Sequence, residues 1–497
     1  MTSLWLDRQP AAATDPFETD KAYDTIVVGG GLTGLCTALL LARAGQAVAV
    51  LEARSLGAVT TGNTTGKLSL LHGGQLSRIT RHNSLEVARA YVDANRRGQE
   101  WMLRFCADHR IPFQTRDASS YAGTPEGADL VRREYDACRS AGLDVTLEPS
   151  SELPFATFGS IRLSHQAQFD PMDVVGALAA ELRQIGGVIV EHSRVIHLSA
   201  HGNHRDVMTA AGSVHADHVV LATGMPVLGR GAYFTRLRPL RSYACAFSVT
   251  GPIPQGMYLS LDDPTRSLRT APAAEHERLV VGGNGHIVGQ NQSPRAQLRD
   301  LERWAVERFP GAELTHSWSA QDYQSLDHAP YVGPITHGEE GILVATGFNK
   351  WGLTNAVAAS LALSEFLLEG QMSWGRTVYD RPVTISDAVA RVGWNATVGF
   401  ELAKEWVETT LAPPPSILPA DGEGAVYREG TRPVGICNVN GAVSKISAVC
   451  THLGGVLGWN DAEQSWDCPL HGSRFSYDGE RLEGPALNDL KPLEATE

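Results

Sequence analysis

A chain of 497 residues, 43% hydrophobic and 20% charged, has the composition of an ordinary globular protein with room for two or three domains. Its 42 Lys and Arg against 55 Asp and Glu give a formal charge of −13, which argues against nucleic acid or an anionic membrane surface as the main partner. The opening MTSLWLDRQPAAATDPF lacks a basic stretch followed by an apolar run, so no secretory signal is expected. The most apolar region, 35-LCTALLLARAGQAVAVLEA-53, is broken by Arg43 and Gly45, too early for a membrane span. Cys36, Cys106, Cys138, Cys245, Cys437, Cys450 and Cys468 are odd in number and dispersed, which is no disulfide framework. A reducing cytoplasm is the expected setting.

The run 24-DTIVVGGGLTGLCTALLLARAGQAVAVLEAR-54 reads as strand, turn, helix, strand. Gly29, Gly31 and Gly34 follow a β-branched strand and open a helix expected to run from about Leu32 to Ala44. Gly29 permits the tight turn, Gly31 lets backbone approach a pyrophosphate, and Gly34 lets helix and strand pack closely. The helix N-terminus offers N–H groups to phosphate. Glu52 ends the second strand, where a ribose hydroxyl needs an acceptor. The alternative is a glycine-rich turn in an α/β sheet. Three later features favour FAD over NAD: the polar loop 60-TTGNTTGKLSLLHGG-74, the strand end 217-DHVVLATG-224, and the strand–turn–helix 342-ILVATGFNKWGLTNAVAASLALSEFLL-368.

On these motifs, and on 323-YQSLDHAPYVGPI-335, the chain resembles the D-amino-acid oxidase, glycine oxidase and sarcosine oxidase superfamily of flavoenzymes. The resemblance implies an α/β FAD-binding Rossmann-type domain interleaved with an α+β substrate domain. It implies FAD held by Gly29, Gly31, Gly34, Glu52, Ala53 and Arg54, and by Thr60, Thr61, Asn63, Thr64, Thr65, Lys67 and Leu68. Val195, Thr223 and Gly224 continue the implied site, with Gly347, Phe348, Asn349, Lys350, Trp351, Gly352, Leu353 and Thr354. Strands are expected at 238-RPLRSYACAFSVT-250 and 279-LVVGGNG-285 in the substrate half. Arg269 in 267-SLRTAP-272 is the candidate to clamp a substrate carboxylate, or else a surface arginine at a strand end; Arg241 is a weaker candidate.

Departures from the family also speak. No cysteine stands in 317-SWSAQDYQ-324, where sarcosine oxidases attach flavin, so noncovalent FAD is expected. His72 is either a covalent link or a hydrogen-bonding histidine. The region 267-SLRTAPAAEHERLV-280 lacks the family's oxygen-activating lysine; Lys350 and Lys67 are the lysines near the flavin by position, and either is equally readable as an exposed residue.

Helical sequence at 386–410 leads to 411-LAPPPSILPADGEG-424, whose prolines mark a linker. Short glycine-rich strands follow. The arms 450-CTHLGG-455 and 468-CPLHGSRF-475 each carry one Cys and one His. A zinc finger would pair its cysteines closely; one thiolate and one imidazole per arm is what a Rieske [2Fe–2S] centre needs, with Cys450, His452, Cys468 and His471 as ligands. With 484-GPA-486 these arms resemble Rieske domains, an all-β fold. Gly455 and Leu470 stand where respiratory relatives carry a disulfide, and Phe475 where they carry a tyrosine. Loss of that hydroxyl donor implies a potential low in the class range of roughly −150 to +300 mV.

The expected organisation is an oxidoreductase over 1–410, a linker over 411–424 and a Rieske domain over 425–497. FAD-binding segments are expected at about 20–75, 186–232 and 326–385, and substrate segments at about 76–185 and 233–325. Too little chain follows His471 for an oxygenase iron domain, and 281-VGGNGHIVG-289 lacks the context of a second nucleotide site. The resulting expectation is FAD-dependent oxidation of a small amine or amino-acid-like substrate at a C–N bond, with electrons relayed to the cluster and on to a redox protein or other acceptor. Two readings compete: a simple flavin oxidase with a structural or docking Rieske domain, and a reductase fed through the cluster by a partner protein.

Overall fold

The computed structural model describes residues 1–8, 14–202, 204–227, 229–273, 276–290, 293–336, 338–381, 385–411, 413–415 and 417–493. Residues 9–13 of the opening segment, 412 and 416 of the expected linker and 494–497 of the expected Rieske domain lie outside them.

The glycine-rich pattern folds as strand Ala22–Val28, helix Leu32–Arg43 and strand Val48–Leu51. Parallel pairing places Val188–Val190, Val48–Leu51, Ala22–Val28, Gly212–Leu221 and Ile342–Thr346 side by side in that order. Strands covered on both faces are apolar throughout, and Ile342–Thr346 is buried at every residue. Tyr331–Pro334 adds an antiparallel edge. Helix Gly352–Glu369 packs on Leu32–Arg43 and closes one face.

A second sheet of nine strands faces the first. It runs Ala312–Ser325, Leu237–Val249, Arg278–Ile287, Arg266–Ala271, Met257–Ser260, Phe113–Tyr121, Ser160–Phe169 and Lys67–Leu68, with Thr146–Glu148 paired off this path. The sheet is mixed: Met257–Ser260 runs parallel to Phe113–Tyr121. Residues 281–287 lie inside an antiparallel strand of this sheet, which is no nucleotide turn.

Helix Ile385–Leu411 leads to the C-terminal region, where Val398 and Leu402 pack against its core. That region is all-β. Gly424–Glu429, Arg432–Val439 and Ala442–Ser447 form one antiparallel sheet, and Gly458–Asn460, Ser465–Asp467, Arg474–Ser476 and Arg481–Glu483 another. No helix among the described residues is long and apolar enough to cross a membrane.

One register positions everything that follows. Leu240 pairs with Asp322, Arg241 with Gln321, and Ser242 with Ala320. Side chains alternate faces along a strand. Leu240, Ser242, Ala244, Trp318, Ala320 and Asp322 therefore line the space between the two sheets. Arg241, Ser319 and Gln321 point the other way, onto the C-terminal region.

Candidate active site and cluster site

Between the sheets lies a cavity of about 380 Å³. At one end it is walled by the glycine turn. Gly29 sits at φ +110, and a Cβ there would stand 2.6 Å from the Ala222 carbonyl oxygen. A Cβ on Gly34 would stand 1.9 Å from the Gly29 oxygen, so only glycine lets helix and strand meet this closely. Neither N-cap residue, Gly31 or Trp351, caps its helix with a side chain, Thr61 Oγ1 accepts from the Leu32 N–H at 3.1 Å, and both helix starts line the cavity. The dipoles of these helix starts, and the first-turn N–H groups that no helix carbonyl takes, suit an anionic, acceptor-rich cofactor. Glu52 is buried at the second strand end, accepting from Gly30 N–H at 2.6 Å and Arg54 N–H at 2.7 Å. Burial pushes its carboxyl up, and those two N–H groups oppose the rise. Arg54 and Arg194 add positive charge to this end of the lining. A glycine cradle, two open helix starts and a buried acid fit FAD.

At the other end the substrate sheet forms the wall. Lys67 Nζ donates to the Tyr258 carbonyl at 2.8 Å and to Ser267 Oγ. Burial first, then the nearby Arg269 charge, lowers this amine to about 7. Lys350 lies in the wall with its surface open to the cavity. Withdrawal from bulk water lowers its pKa and Asp322 opposes the shift, while Asp322 also accepts from the Lys350 and Tyr323 N–H groups.

The two arms of the C-terminal region bring their ligands together in pairs. The Cys468 thiol donates to the Cys450 sulfur, which lowers Cys450 and raises Cys468. The N–H groups of His452 and Leu453 and the Ser473 hydroxyl also approach the Cys450 sulfur, and those of Leu470 and His471 approach Cys468. The rings of His452 and His471 stand 5.1 Å apart, edge to face. His452 Nδ1 is buried without a hydrogen-bond partner. Among the described residues no three His, Cys, Asp or Glu side chains converge as a single-metal site requires. A sulfur pair and an imidazole pair fit a two-iron cluster, with N–H donors ringed about the thiolates. Leu470 fills the space over Gly455, where a Cβ would stand 2.7 Å from Leu470 Cδ1. Apolar packing joins the arms where a disulfide would.

The cluster arms rest on the flavin-binding part of the chain. The Phe234 ring lies 5.0 Å from the His452 ring and 5.0 Å from the His471 ring. Gln321 Nε2 donates to the Gly472 carbonyl at 2.8 Å and to Tyr323 Oη at 2.9 Å. Arg241 Nε donates to Glu463 Oε1 at 2.5 Å, and Arg241 Nη1 stands 3.6 Å from Glu483. Arg474, directly after Ser473, holds Glu463 at 2.8 Å, Glu483 at 2.7 Å and Asp467 at 3.0 Å. Burial alone would raise the Glu463 carboxyl, but Arg241 and Arg474 hold it well below the usual range. The last strand reaches the cavity itself: Arg481, Leu482, Glu483, Gly484 and Ala486 join its lining.

A family model described as FAD dependent oxidoreductase matches residues 24–366. The chain belongs to that family. A second, described as Rieske [2Fe-2S] domain, matches residues 412–494 of this oxidoreductase. The enzyme is 29% identical over 497 residues to a Bacillus subtilis (strain 168) protein described as a Rieske 2Fe-2S iron-sulfur protein, YhfW, covering 99% of this chain and 97% of that one. It is 23% identical over 368 residues to glycine oxidase of Bacillus licheniformis, covering 70% of this chain and 94% of that one. The crystal structure of glycine oxidase from Geobacillus kaustophilus matches with a TM-score of 0.62 at 20% identity, covering 73% of this chain and 98% of that one. That likeness shows the fold. The enzyme is thus an FAD-dependent oxidoreductase of amino-acid-oxidase type that carries a Rieske [2Fe–2S] domain.

The cavity gathers nearly every residue that the resemblance implied for FAD, but Gly34, Leu68 and Asn349 stand behind its lining. Asn349 is held by Gln75 and Gln324 instead. The expected carboxylate clamp is corrected. Arg269 is fully buried, does not line the cavity, and donates to the carbonyls of Thr65, Gly66, Phe169 and Thr270. Arg241 belongs to the contact with the Rieske domain. His72 hydrogen-bonds Tyr91 Oη at 2.8 Å and the Ser69 carbonyl at 2.6 Å, and stacks on Trp351 away from the cavity. Both ring nitrogens are engaged, and no free ring atom faces a flavin. The sequence reading missed Trp318, Asp322 and Tyr323, and every lining residue from the Rieske domain. Their face of the sheet depends on pairing across about 80 residues of chain, which no local pattern encodes.

Proposed function

We propose that the enzyme oxidises a small amine or amino-acid-like substrate at a C–N bond and passes the electrons across the substrate sheet to the Rieske cluster. FAD when bound supplies a two-electron acceptor for a substrate hydride, and the cluster a one-electron acceptor. The observation that carries this reading is the shared pair of strands. Leu237–Val249 and Ala312–Ser325 line the cavity with one face and seat the Rieske domain with the other. Over these strands one sheet layer lies between, on the order of 10 Å, and beside them Leu482, Gly484 and Ala486 of the C-terminal region enter the cavity lining directly. Phe234 closes the histidine edge of the cluster against the same part of the chain. The glycine oxidases that match this chain support a C–N bond as the site of oxidation.

Lys67 is the proton acceptor in this reading. As a neutral amine it has two N–H bonds and a lone pair. Tyr258 O and Ser267 Oγ take the two N–H groups, which leaves the lone pair for the substrate ammonium. Removal of that proton frees the substrate nitrogen for hydride loss from the adjacent carbon. The absence of cysteine from the described cavity lining supports noncovalent FAD. A redox protein or another acceptor then takes electrons from the cluster. The domain limits given above, 1–410, 411–424 and 425–497, are part of this proposal.

Anaerobic mixing with a panel of primary and secondary amines, amino acids and hydroxy acids tests the chemistry. Bleaching of the flavin band by an amine or amino acid is expected. Bleaching by hydroxy acids alone would overturn the C–N assignment.

A further inference from the structure

The loop Gly62–Gly66 beside the cavity has each of its carbonyl oxygens held by a side-chain donor, with Arg269 Nη1 shared between the last two. Ser3 Oγ donates to Gly62 O at 2.5 Å, and Trp318 Nε1 to Asn63 O at 2.9 Å. Trp5 Nε1 donates to Thr64 O at 2.7 Å. Arg269 Nη1 donates to Thr65 O and Gly66 O, both at 2.8 Å. Ser3, Trp5 and Arg269 are buried, and none of them lines the cavity.

Two of these donors come from the far N-terminal segment. Thr2 bridges to Ser317, Leu4 and Trp5 are 1% exposed, and Arg8 donates to the Pro272 carbonyl. The Arg269 guanidinium lies over the Trp5 ring at 5.2 Å, so strap and arginine also hold each other. The fit is close. A Cβ on Gly62 would stand 2.7 Å from Leu6 Cδ2. Gly66 has φ +74, and a Cβ there would stand 2.4 Å from Arg269 Nη1.

In a planar trans peptide the carbonyl of one residue and the N–H of the next point in opposite directions. The N–H groups of Asn63 and Thr64 turn back to Thr60 O at 3.3 Å and Thr61 O at 3.4 Å, and that of Gly66 to Thr64 Oγ1 at 3.4 Å. With Thr64 O drawn outward to buried Trp5, the Thr65 N–H that follows it is turned toward the cavity, where Thr64 and Thr65 form the wall. We propose that residues 2–8 are a strap, and Arg269 a positioning residue that braces Trp5 and the Thr65 carbonyl, which together present the N–H group of Thr65 to an acceptor atom of the bound flavin ring. The arginine expected to bind substrate instead shapes the cofactor site from behind.

The test uses the holoenzyme and reads flavin retention. Trp5→Phe keeps the apolar burial but removes the donor to Thr64 O, and Ser3→Ala removes the donor to Gly62 O. Serial dilution is followed by the fluorescence of released FAD and by the visible band of the bound flavin. The expected result for Trp5→Phe is a Kd for FAD about tenfold weaker, corresponding to about 1.4 kcal/mol, with a shifted band. Arg269→Lys is expected to weaken retention further. If Trp5→Phe and Ser3→Ala release flavin within about twofold of the parent with an unchanged band, the proposal is overturned, even where the variants melt earlier.

Discussion

Gln321 Nε2 donates to the carbonyl of Gly472, the residue that follows His471, one of the four expected cluster ligands. The same nitrogen donates to Tyr323 Oη, and Tyr323 lines the flavin cavity. One buried amide therefore bridges the cluster loop and the cavity wall. Gly472 is also a tight fit: a Cβ there would stand 2.4 Å from Pro239 Cβ and 3.0 Å from Gln321 Nε2.

Gln321→Ala leaves the Gly472 carbonyl and the Tyr323 hydroxyl without this partner. Loss of one such buried hydrogen bond costs about 1–3 kcal/mol. Electron exchange weakens more steeply across a gap than along bonds, so cluster reduction should slow while the flavin spectrum stays unchanged. Freeze-quench electron paramagnetic resonance after a light pulse measures that rate. An unchanged rate would remove Gln321 from the path.

Lys67 accepts a proton only in its neutral form. Its pKa is lowered to about 7 by burial and then by Arg269, so the neutral form predominates above that value. The rate of flavin reduction by substrate should rise with pH through about 7 and then level. Lys67→Met should lose this limb and lower kcat/KM by about 10²–10⁴-fold, the usual worth of a positioned base. A flat profile in the parent enzyme would assign the proton elsewhere.

Arg241 and Glu463 join the substrate sheet to the Rieske domain, the arginine from a buried position. Removing one partner of a buried pair costs about 3–5 kcal/mol when the other charge is left uncompensated; Glu463 is part-buried and keeps Arg474, so the cost here falls below that range. Arg241→Ala should loosen the docking of the C-terminal region and speed protease cleavage between it and the rest of the chain while each part stays folded. The pH dependence follows from the depressed Glu463 carboxyl. A depressed acid contributes stability that is present above the ordinary glutamate value of about 4.3 and is lost as pH falls through the lower folded value. Docking should therefore persist at pH 5 and fail only in stronger acid. Equal protease sensitivity of parent and variant would deny the pair this role.

Phe475 is fully buried, pairs directly with Trp466 across the strands, and its side chain offers no hydrogen-bond donor. A donor added near the thiolates stabilises the reduced, more negative cluster. Phe475→Tyr should raise the cluster potential above that of the parent, itself expected low in the class range of roughly −150 to +300 mV. Protein-film voltammetry reads both values, and a parent value near the top of the range would refute the expectation.

The turn from Gly29 to Glu52 was legible because every functional residue lies within one strand–helix–strand unit. The same holds for Cys450, His452, Cys468 and His471, whose two arms are short loops next to their strands. Arg269 was misread because its chemistry depends on which face of Arg266–Ala271 it occupies and on what covers that face. What covers it is Trp5, far away in sequence. Arg241 was undervalued for the same reason: its carboxylate partners, Glu463 and Glu483, are more than two hundred residues distant. Long-range register, invisible in one sequence, decided both.

The measurement that tests the relay most directly needs no substrate. The flavin of the holoenzyme is photoreduced under anaerobic conditions, samples are frozen at intervals, and the electron paramagnetic resonance spectrum is recorded. The expected result is a reduced-cluster signal that grows in step with flavin reduction. Fully reduced flavin beside a silent, oxidised cluster that dithionite still reduces would contradict it.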